Sequence, residues 1–148
     1  MNRARSARPG APLNRMLVLL AATLLLAGAA VAAGLAGPNG PVLLSVTGKI
    51  GKTNDGDAAL FDEEMLSALP RHRIVTSTPW TDGIMHFEGF LLKDLLAEVA
   101  AAGSILRAEG INGYRIEFPI ADADEFGVLI AMRMDEKPLS RRDKGPLW

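Results

Sequence analysis

Few residue types that carry chemistry occur in this sequence, and its two histidines come first among them. His72 and His86 stand fourteen positions apart. A histidine pair can hold a transition metal, but such a site needs further ligands, which do not accompany either residue. The sequence therefore favours polar, hydrogen-bonded histidines over a metal pair.

An acidic cluster near the end of the chain offers a second kind of site. Asp122, Asp124 and Glu125 could supply the oxygen ligands that Ca²⁺ prefers. No EF-hand spacing surrounds them, so a solvated acidic turn is the favoured interpretation.

Basic residues close to the C-terminus offer a third kind of site. Arg141, Arg142 and Lys144 precede Gly145, and paired guanidinium groups with free amides suit phosphate oxygens. A solvated tail explains them equally well, and the residues alone leave both interpretations open. No Ser/His/Asp spacing, P-loop or dinucleotide fingerprint is present in the sequence.

Composition narrows the chemistry without selecting one. The 148 residues suit a single domain, and 49% hydrophobic with 22% charged residues is typical of a globular chain. The absence of cysteine excludes disulfides, thiolate metal sites and a cysteine nucleophile. Residues 34–148 hold 12 basic and 17 acidic side chains, a net charge of −5 that argues against nucleic acid as a partner.

The N-terminus predicts export. Arg3, Arg5, Arg8 and Arg15 precede an apolar run, Met16–Ala33, which ends in small residues. This order is typical of a secretory signal peptide, and an uncleaved membrane anchor is the alternative. We expect residues 1–33 to be the signal or anchor and residues 34–41 to be a linker. Residues 42–148 would then be a periplasmic domain, or one anchored to the inner membrane through residues 16–33 and facing outwards.

The exported part places these candidate residues on strands that are interrupted by two helices and do not alternate regularly with them. Asp62 predicts the cap of a short helix ending at Leu69, and apolar spacing predicts an amphipathic helix over Phe90–Ala102. Irregular loops are expected over Lys52–Ala58 and Pro79–Gly89. The predicted strands are Val42–Ile50, His72–Thr78, Ile105–Ala108, Tyr114–Ile120 and Val128–Met134. Strands interrupted by two short helices predict an α+β fold.

The order of the segments is more informative than any single motif. Trp80 precedes the run Phe87-Glu88-Gly89-Phe90-Leu91-Leu92-Lys93-Asp94-Leu95-Leu96. Asn112-Gly113-Tyr114 leads into an apolar strand, and Leu129-Ile130-Ala131 forms another. The tail carries Lys137-Pro138-Leu139 and Lys144-Gly145-Pro146-Leu147.

This series resembles the oxidoreductase molybdopterin-binding domain, the fold of sulfite oxidase and its bacterial relatives, over roughly residues 42–148. The family shows a "W…F-x-G-x-x-L-x-x-L-L" segment, a "D-G-Y" turn, an "L-A" strand and a "G-x-P-L…G-x-P-L" tail in this order. Here Asn112 replaces Asp, and Glu136 stands where Gly is usual. The resemblance implies an α+β domain that holds a molybdenum–pterin cofactor for oxygen-atom or electron transfer.

The chain departs from the family at the metal. The cysteine ligand of the family corresponds by position to Thr76 or Ser77, and neutral hydroxyls are poor ligands for this centre. The N-terminal head also lacks the consecutive arginine pair of twin-arginine signals, through which cofactor-loaded relatives leave the cytoplasm folded. The family continues into another apolar strand beyond the position of Trp148, so we expect the sequence to be a fragment.

Three hypotheses follow from the resemblance and its departures. In the first, the domain is a non-catalytic module with no cofactor bound, whose former cofactor cleft takes a small anionic ligand or an envelope protein. The resemblance places Thr76, Ser77, Trp80 and Thr81 at this cleft, with Arg141, Arg142 and Lys144 as anion contacts. In the second, it is an oxidoreductase that holds molybdopterin without a cysteine ligand. In the third, it is a structural partner whose pocket is filled by its own side chains, with Trp80 in the core.

Overall fold

The computed structural model describes residues 34–148. The predicted signal peptide or membrane anchor, residues 1–33, lies outside the described residues. Within residues 34–148, no helix is both long enough and apolar enough to cross a membrane.

The described residues fold as a mixture of antiparallel strands and short helices, which confirms the predicted α+β class. The strands are β1 Leu44–Thr47, β2 Ala58–Phe61, β3 Arg71–Thr76, β4 Met85–Leu91, β5 Ile105–Glu109, β6 Arg115–Pro119, β7 Leu129–Met134 and β8 Lys137–Pro138. The helices are α1 Glu63–Ser67, α2 Leu92–Glu98 and α3 Asp122–Glu125, and a 3₁₀ turn spans Arg141–Asp143.

A four-stranded sheet with the order β3-β4-β7-β8 carries most of the candidate residues. The predicted irregular loop over Pro79–Gly89 is wrong in its second half, because β4 begins at Met85. The predicted helix start at Phe90 is also wrong, since Phe90 and Leu91 complete β4 and α2 begins at Leu92. Phe90, Leu91 and Leu92 form one apolar run across the junction between β4 and α2. The change from strand to helix periodicity is therefore hard to locate from the sequence.

A second sheet pairs β1 with β2, and β2 is absent from the prediction. The polar loop before it ends earlier than expected, because Asn54 ties the loop to the strand. The Asn54 side chain donates to the carbonyl oxygens of Ala36 and Leu60 and accepts from the Leu60 N–H, each at 2.8 Å. These bonds fix the start of β2, which then pairs antiparallel with β1.

The third sheet is the β5–β6 hairpin, whose predicted turn at Asn112-Gly113 is confirmed. The Asn112 side chain accepts from the Tyr114 N–H at 3.0 Å, and Gly113 adopts a φ of +80°, which favours glycine.

The main core lies where the β1–β2 sheet, α1 and α2 pack against β4. Val99, Phe61, Phe90 and Leu66 are its largest fully buried side chains. A smaller apolar cluster contains Phe87, Ala131 and Leu139, with Trp148 packed against it. Because successive side chains of a strand point to opposite faces, Phe87 and Phe90 serve the two faces of the sheet. We call the face that carries Phe87 and Ala131 the open face.

Asp62 joins the linker to the fold. Its buried carboxylate accepts backbone N–H bonds from Asn39 at 2.7 Å, Gly40 at 2.8 Å and Met65 at 2.9 Å, so it caps α1 as predicted. The bonds from Met65 and Gly40 contribute most to holding the pKa of Asp62 below its ordinary value.

This geometry makes a prediction about acid stability. Asp62→Asn should lower the Tm at neutral pH by roughly 5–10 °C, since its NH₂ group cannot accept the N–H bonds that Asn39 and Gly40 donate to one Asp62 oxygen. The folded pKa of Asp62 is depressed, so its contribution is present above the unfolded pKa and is lost as the pH falls through the folded pKa. Thermal melts followed by circular dichroism should therefore show wild type and variant converging in acid. Asp57→Asn, at an exposed loop position, is the control and should run parallel to wild type.

Candidate functional site

A pocket of about 190 Å³ lies on the open face of the four-stranded sheet. We call it the open-face pocket. Its lining residues are Ile74, Thr76, Thr78, Phe87, Leu129, Ala131 and Trp148. Three strands, the loop after β3 and Trp148 thus meet at this pocket, and Thr76 is the one residue of the expected cleft that lines it.

The floor and one wall of the pocket are apolar and well fixed. Ile74 lies opposite Phe87 in the β3–β4 pairing. The Phe87 ring meets the Trp148 ring edge to face, with centroids 5.1 Å apart and an interplanar angle of 73°. Trp148 is held at the sheet edge because it exchanges both backbone hydrogen bonds with Ala131, at 2.7 and 3.0 Å. The aromatic wall is therefore part of the sheet.

The loop after β3 forms the opposite rim through a hydroxyl-organised turn. The Thr81 hydroxyl accepts from the Thr78 N–H at 3.1 Å and lies 3.0 Å from the Thr78 hydroxyl. The Trp80 N–H donates to the Thr78 hydroxyl at 3.2 Å, which leaves the Trp80 side chain 70% exposed. The hypothesis that Trp80 is a core residue filling the pocket is therefore wrong.

Lys144 lies between Trp80, on the loop after β3, and Trp148, in the aromatic wall. Its ammonium lies 4.8 Å from the centroid of the Trp80 ring and 4.6 Å from that of the Trp148 ring, within the range of cation–π attraction. The tail turn that presents Lys144 is closed by the Gly145 N–H, which donates to the Ser140 carbonyl at 2.7 Å. A Cβ at Gly145 would stand 2.1 Å from the Leu139 carbonyl oxygen, so glycine allows this close turn.

Arg141, Arg142 and Ser77 lie outside the pocket lining. Arg141 and Arg142 are exposed in the 3₁₀ turn, and in the described part of the chain neither makes a hydrogen bond or ion pair with the lining. Ser77 is exposed, and its carbonyl accepts from the Thr76 hydroxyl at 3.2 Å. Of the predicted site residues, Thr76 thus lines the pocket, while Lys144 and Trp80 lie beside its lining residue Trp148 and Thr81 bonds to its lining residue Thr78.

Sequence reasoning missed most of the walls. Ile74, Phe87, Leu129 and Ala131 belong to three strands, and only their pairing places them side by side. The usable signal was the alternation within each strand, which puts Ile74 and Thr76 on one face.

Each histidine lies beside a different aspartate, but within the described residues only the His86 ring hydrogen-bonds to its aspartate, since Asp94 Oδ2, beside His72, has no hydrogen-bond partner. His72 Nε2 lies 3.4 Å from Asp94 Oδ2, and His86 Nδ1 lies 3.3 Å from Asp135 Oδ1. The backbone and side chain of His86 together hold the pKa of Asp135 below its ordinary value. In the acidic cluster, Asp124 accepts a bond from Lys93 at 2.8 Å.

The residues around Thr76 do not fit a molybdenum–pterin cofactor. Among the described residues, the lining offers hydroxyls and hydrocarbon but no thiolate, imidazole or carboxylate, and soft-ligand metals bind such hydroxyls poorly. The pocket is also smaller than the roughly 300–1,000 Å³ of sites that enclose drug-sized ligands.

Comparisons with known proteins do not indicate a function for this chain. No protein-family model matches the chain, and a search of curated proteins finds no match. The open-face pocket, with Lys144 between two indole rings at its rim, is accordingly the feature on which a function must be argued.

Proposed function

We propose that the exported domain is a non-catalytic binding module of the molybdopterin-binding, sulfite-oxidase-like type. It uses the open-face pocket to hold a small anionic ligand or an anionic group of an envelope protein. The observation that carries the proposal is the position of Lys144, a cation between Trp80 and Trp148 at the rim of an apolar pocket.

The lining indicates what kind of molecule would bind. Ile74, Phe87, Leu129 and Ala131 favour an apolar body, because its transfer out of water is favourable in proportion to the area buried. The Lys144 ammonium at the rim favours an anionic group on the apolar ligand, because hydrogen bonds between charged groups are stronger than those between neutral groups. An apolar, preferably aromatic, molecule with one carboxylate, sulfonate or phosphate meets both conditions.

The same lining argues against catalysis by the protein's own residues. Among the residues that line the open-face pocket in the described part of the chain, none is His, Asp, Glu, Lys or Arg. The Thr76 and Thr78 hydroxyls therefore have no general base beside them to activate them as nucleophiles. A pocket of this composition suits the binding and positioning of a ligand.

The family assignment within this proposal is supported by the order of the motifs and by where they fall. The "F-x-G" residues Phe87–Gly89 lie in the central strand β4, and the following leucines begin α2. The Asn112-Gly113-Tyr114 turn joins β5 to β6, and the Lys144–Leu147 motif returns to the sheet beside β7. Export through residues 1–33, to the periplasm or the outer side of the inner membrane, belongs to the same proposal.

The proposal is tested by the molybdenum and pterin content of the full-length protein purified from its own cell envelope. We expect neither at stoichiometric level in a well-folded sample, because no residue of the lining supplies a suitable metal ligand. Metal is measured by mass spectrometry, and pterin by the fluorescence of its oxidised form.

Stoichiometric molybdenum together with pterin would overturn the proposal. It would favour instead a molybdopterin-dependent oxidoreductase with non-cysteine ligation. Thr76→Ala and Ser77→Ala, measured separately, would then show which hydroxyl retains the metal.

A further inference from the structure

A second, smaller pocket lies between α1 and the four-stranded sheet, apart from the open-face pocket. Its volume is about 60 Å³. Its lining residues are Glu63, Leu66, Ser67, Leu69, Arg71, Glu88, Gly89, Met132, Arg133 and Pro138. We call it the arginine pocket, because Arg71 and Arg133 enter its wall from β3 and β7.

The arginine pocket is organised around a buried carboxylate. Glu88 is 8% exposed and forms an ion pair with Arg73 on the neighbouring strand. Its pKa is held below the ordinary value first by the hydrogen bond from Arg73, with further contributions from the charges of Arg73, Arg71 and Arg133. Three guanidinium groups thus surround one carboxylate.

Arg71 and Arg133 act on Glu88 only through their charges, since the ion pair of Glu88 is with Arg73. Within the described residues, the Arg71 side chain makes no hydrogen bond and no ion pair, although its backbone pairs with Phe90 in the sheet. Arg133 donates to the backbone carbonyl of Glu136, an uncharged acceptor. Glu63, the other acidic residue of the lining, is exposed on the first turn of α1. The wall therefore carries two guanidinium groups without a paired carboxylate.

The size of the pocket limits what it can hold. A water molecule needs roughly 10–15 Å³ of such space, so about 60 Å³ admits a few waters or one compact ion. The paired N–H groups of a guanidinium match the oxygen spacing of phosphate, sulfate and carboxylate. The Ser67 hydroxyl adds a hydrogen-bond donor at the wall of the pocket.

We propose that the arginine pocket binds a small oxyanion of the phosphate or sulfate class, with Arg71 and Arg133 as its ligands. This site is independent of the open-face pocket and of the function proposed for it. Glu88 competes with the anion electrostatically and is held in place by Arg73.

The test is a binding titration of the full-length protein with sodium phosphate against sodium chloride at equal ionic strength and neutral pH. Calorimetry and the Tm are both recorded. We expect saturable binding and a rising Tm in phosphate, and at least roughly tenfold weaker binding in Arg71→Gln or Arg133→Gln.

Two further variants make the outcome decisive. Arg107→Gln removes the same charge from the exposed β5–β6 hairpin, where Arg107 pairs with Glu117, and should bind phosphate like wild type. Glu88→Gln removes the competing carboxylate while keeping its shape, and should bind phosphate more tightly. The proposal is overturned by unsaturable binding, by equal losses in Arg71→Gln and Arg107→Gln, or by weaker binding in a folded Glu88→Gln protein.

Discussion

The Gly89→Ala variant is expected to lose roughly 10–20 °C of Tm, because the substitution would break the centre of the four-stranded sheet. A Cβ at position 89 would lie 1.9 Å from the carbonyl oxygen of Ile130 and 2.9 Å from the Cα of Ala131. Both neighbours are backbone atoms of β7, so they cannot give way as a flexible side chain would. The register between β4 and β7 also shifts between Glu88 and Gly89, which brings the two strands together at this point.

Thermal melts of Gly89→Ala and Gly37→Ala provide a matched comparison. Gly37 has no atom within 4 Å of its hypothetical Cβ and lies outside the strands, so Gly37→Ala should melt close to wild type. The same melts also test the site. Gly89 pairs with Ala131, which lines the open-face pocket, so separating the strands there should disorder the pocket. A Gly89→Ala protein with an unchanged Tm would contradict the β4–β7 register.

Gly89 also shows where sequence reasoning about the fold succeeds and fails. The α+β class and the Asp62 cap follow from local residue patterns, and both are confirmed. The strand β4 was missed because glycine weakens a strand when judged locally, and only the tertiary approach of Ile130 explains its presence. The strand β2 was missed for a similar reason, since its start depends on Asn54 contacts with Ala36 and Leu60.

The candidate site also contains residues that the sequence predicts and residues that only the fold brings together. The order of motifs predicts Trp80 and the basic tail predicts Lys144 as site residues, and the structure places the two together across 64 positions of sequence. The sequence does not predict Trp148 as a site residue. Its place in the pocket wall depends on the backbone hydrogen bonds that it exchanges with Ala131. Arg141 and Arg142 are neighbours of Lys144 in sequence, yet the 3₁₀ turn presents them to solvent. Sequence proximity alone did not decide which cation faces the pocket.

Charge reversal at Lys144 is expected to weaken binding of an anionic aromatic probe by roughly ten- to a hundredfold. The probe is anilinonaphthalene sulfonate, whose rings suit the apolar lining and whose sulfonate would meet the Lys144 ammonium. The chain contains two tryptophans, Trp80 and Trp148, and Lys144 lies between them. Energy transfer from tryptophan to the dye therefore reports binding to the protein, and the difference between wild type and Lys144→Glu assigns that binding to the pocket.

A charge-matched variant separates the local effect from the net charge. Lys49→Glu changes the net charge equally at an exposed position after β1, outside the pocket lining. It should bind the sulfonate within about twofold of wild type, because solvent and salt screen distant surface charges. Circular dichroism confirms that both variants are folded before the titrations are compared.

The neutral dye phenylnaphthylamine, which lacks the sulfonate, decides what Lys144 does. If the ammonium recognises anions, Lys144→Glu should weaken the sulfonate dye and leave the neutral dye nearly unchanged. If Lys144 only holds the two indole rings apart, through the contacts at 4.8 and 4.6 Å, both dyes should weaken together. The second result would reject an anionic ligand and leave an apolar pocket whose rim is tied by a structural cation. The difference between the two dyes is therefore the measurement that assigns the pocket its ligand class.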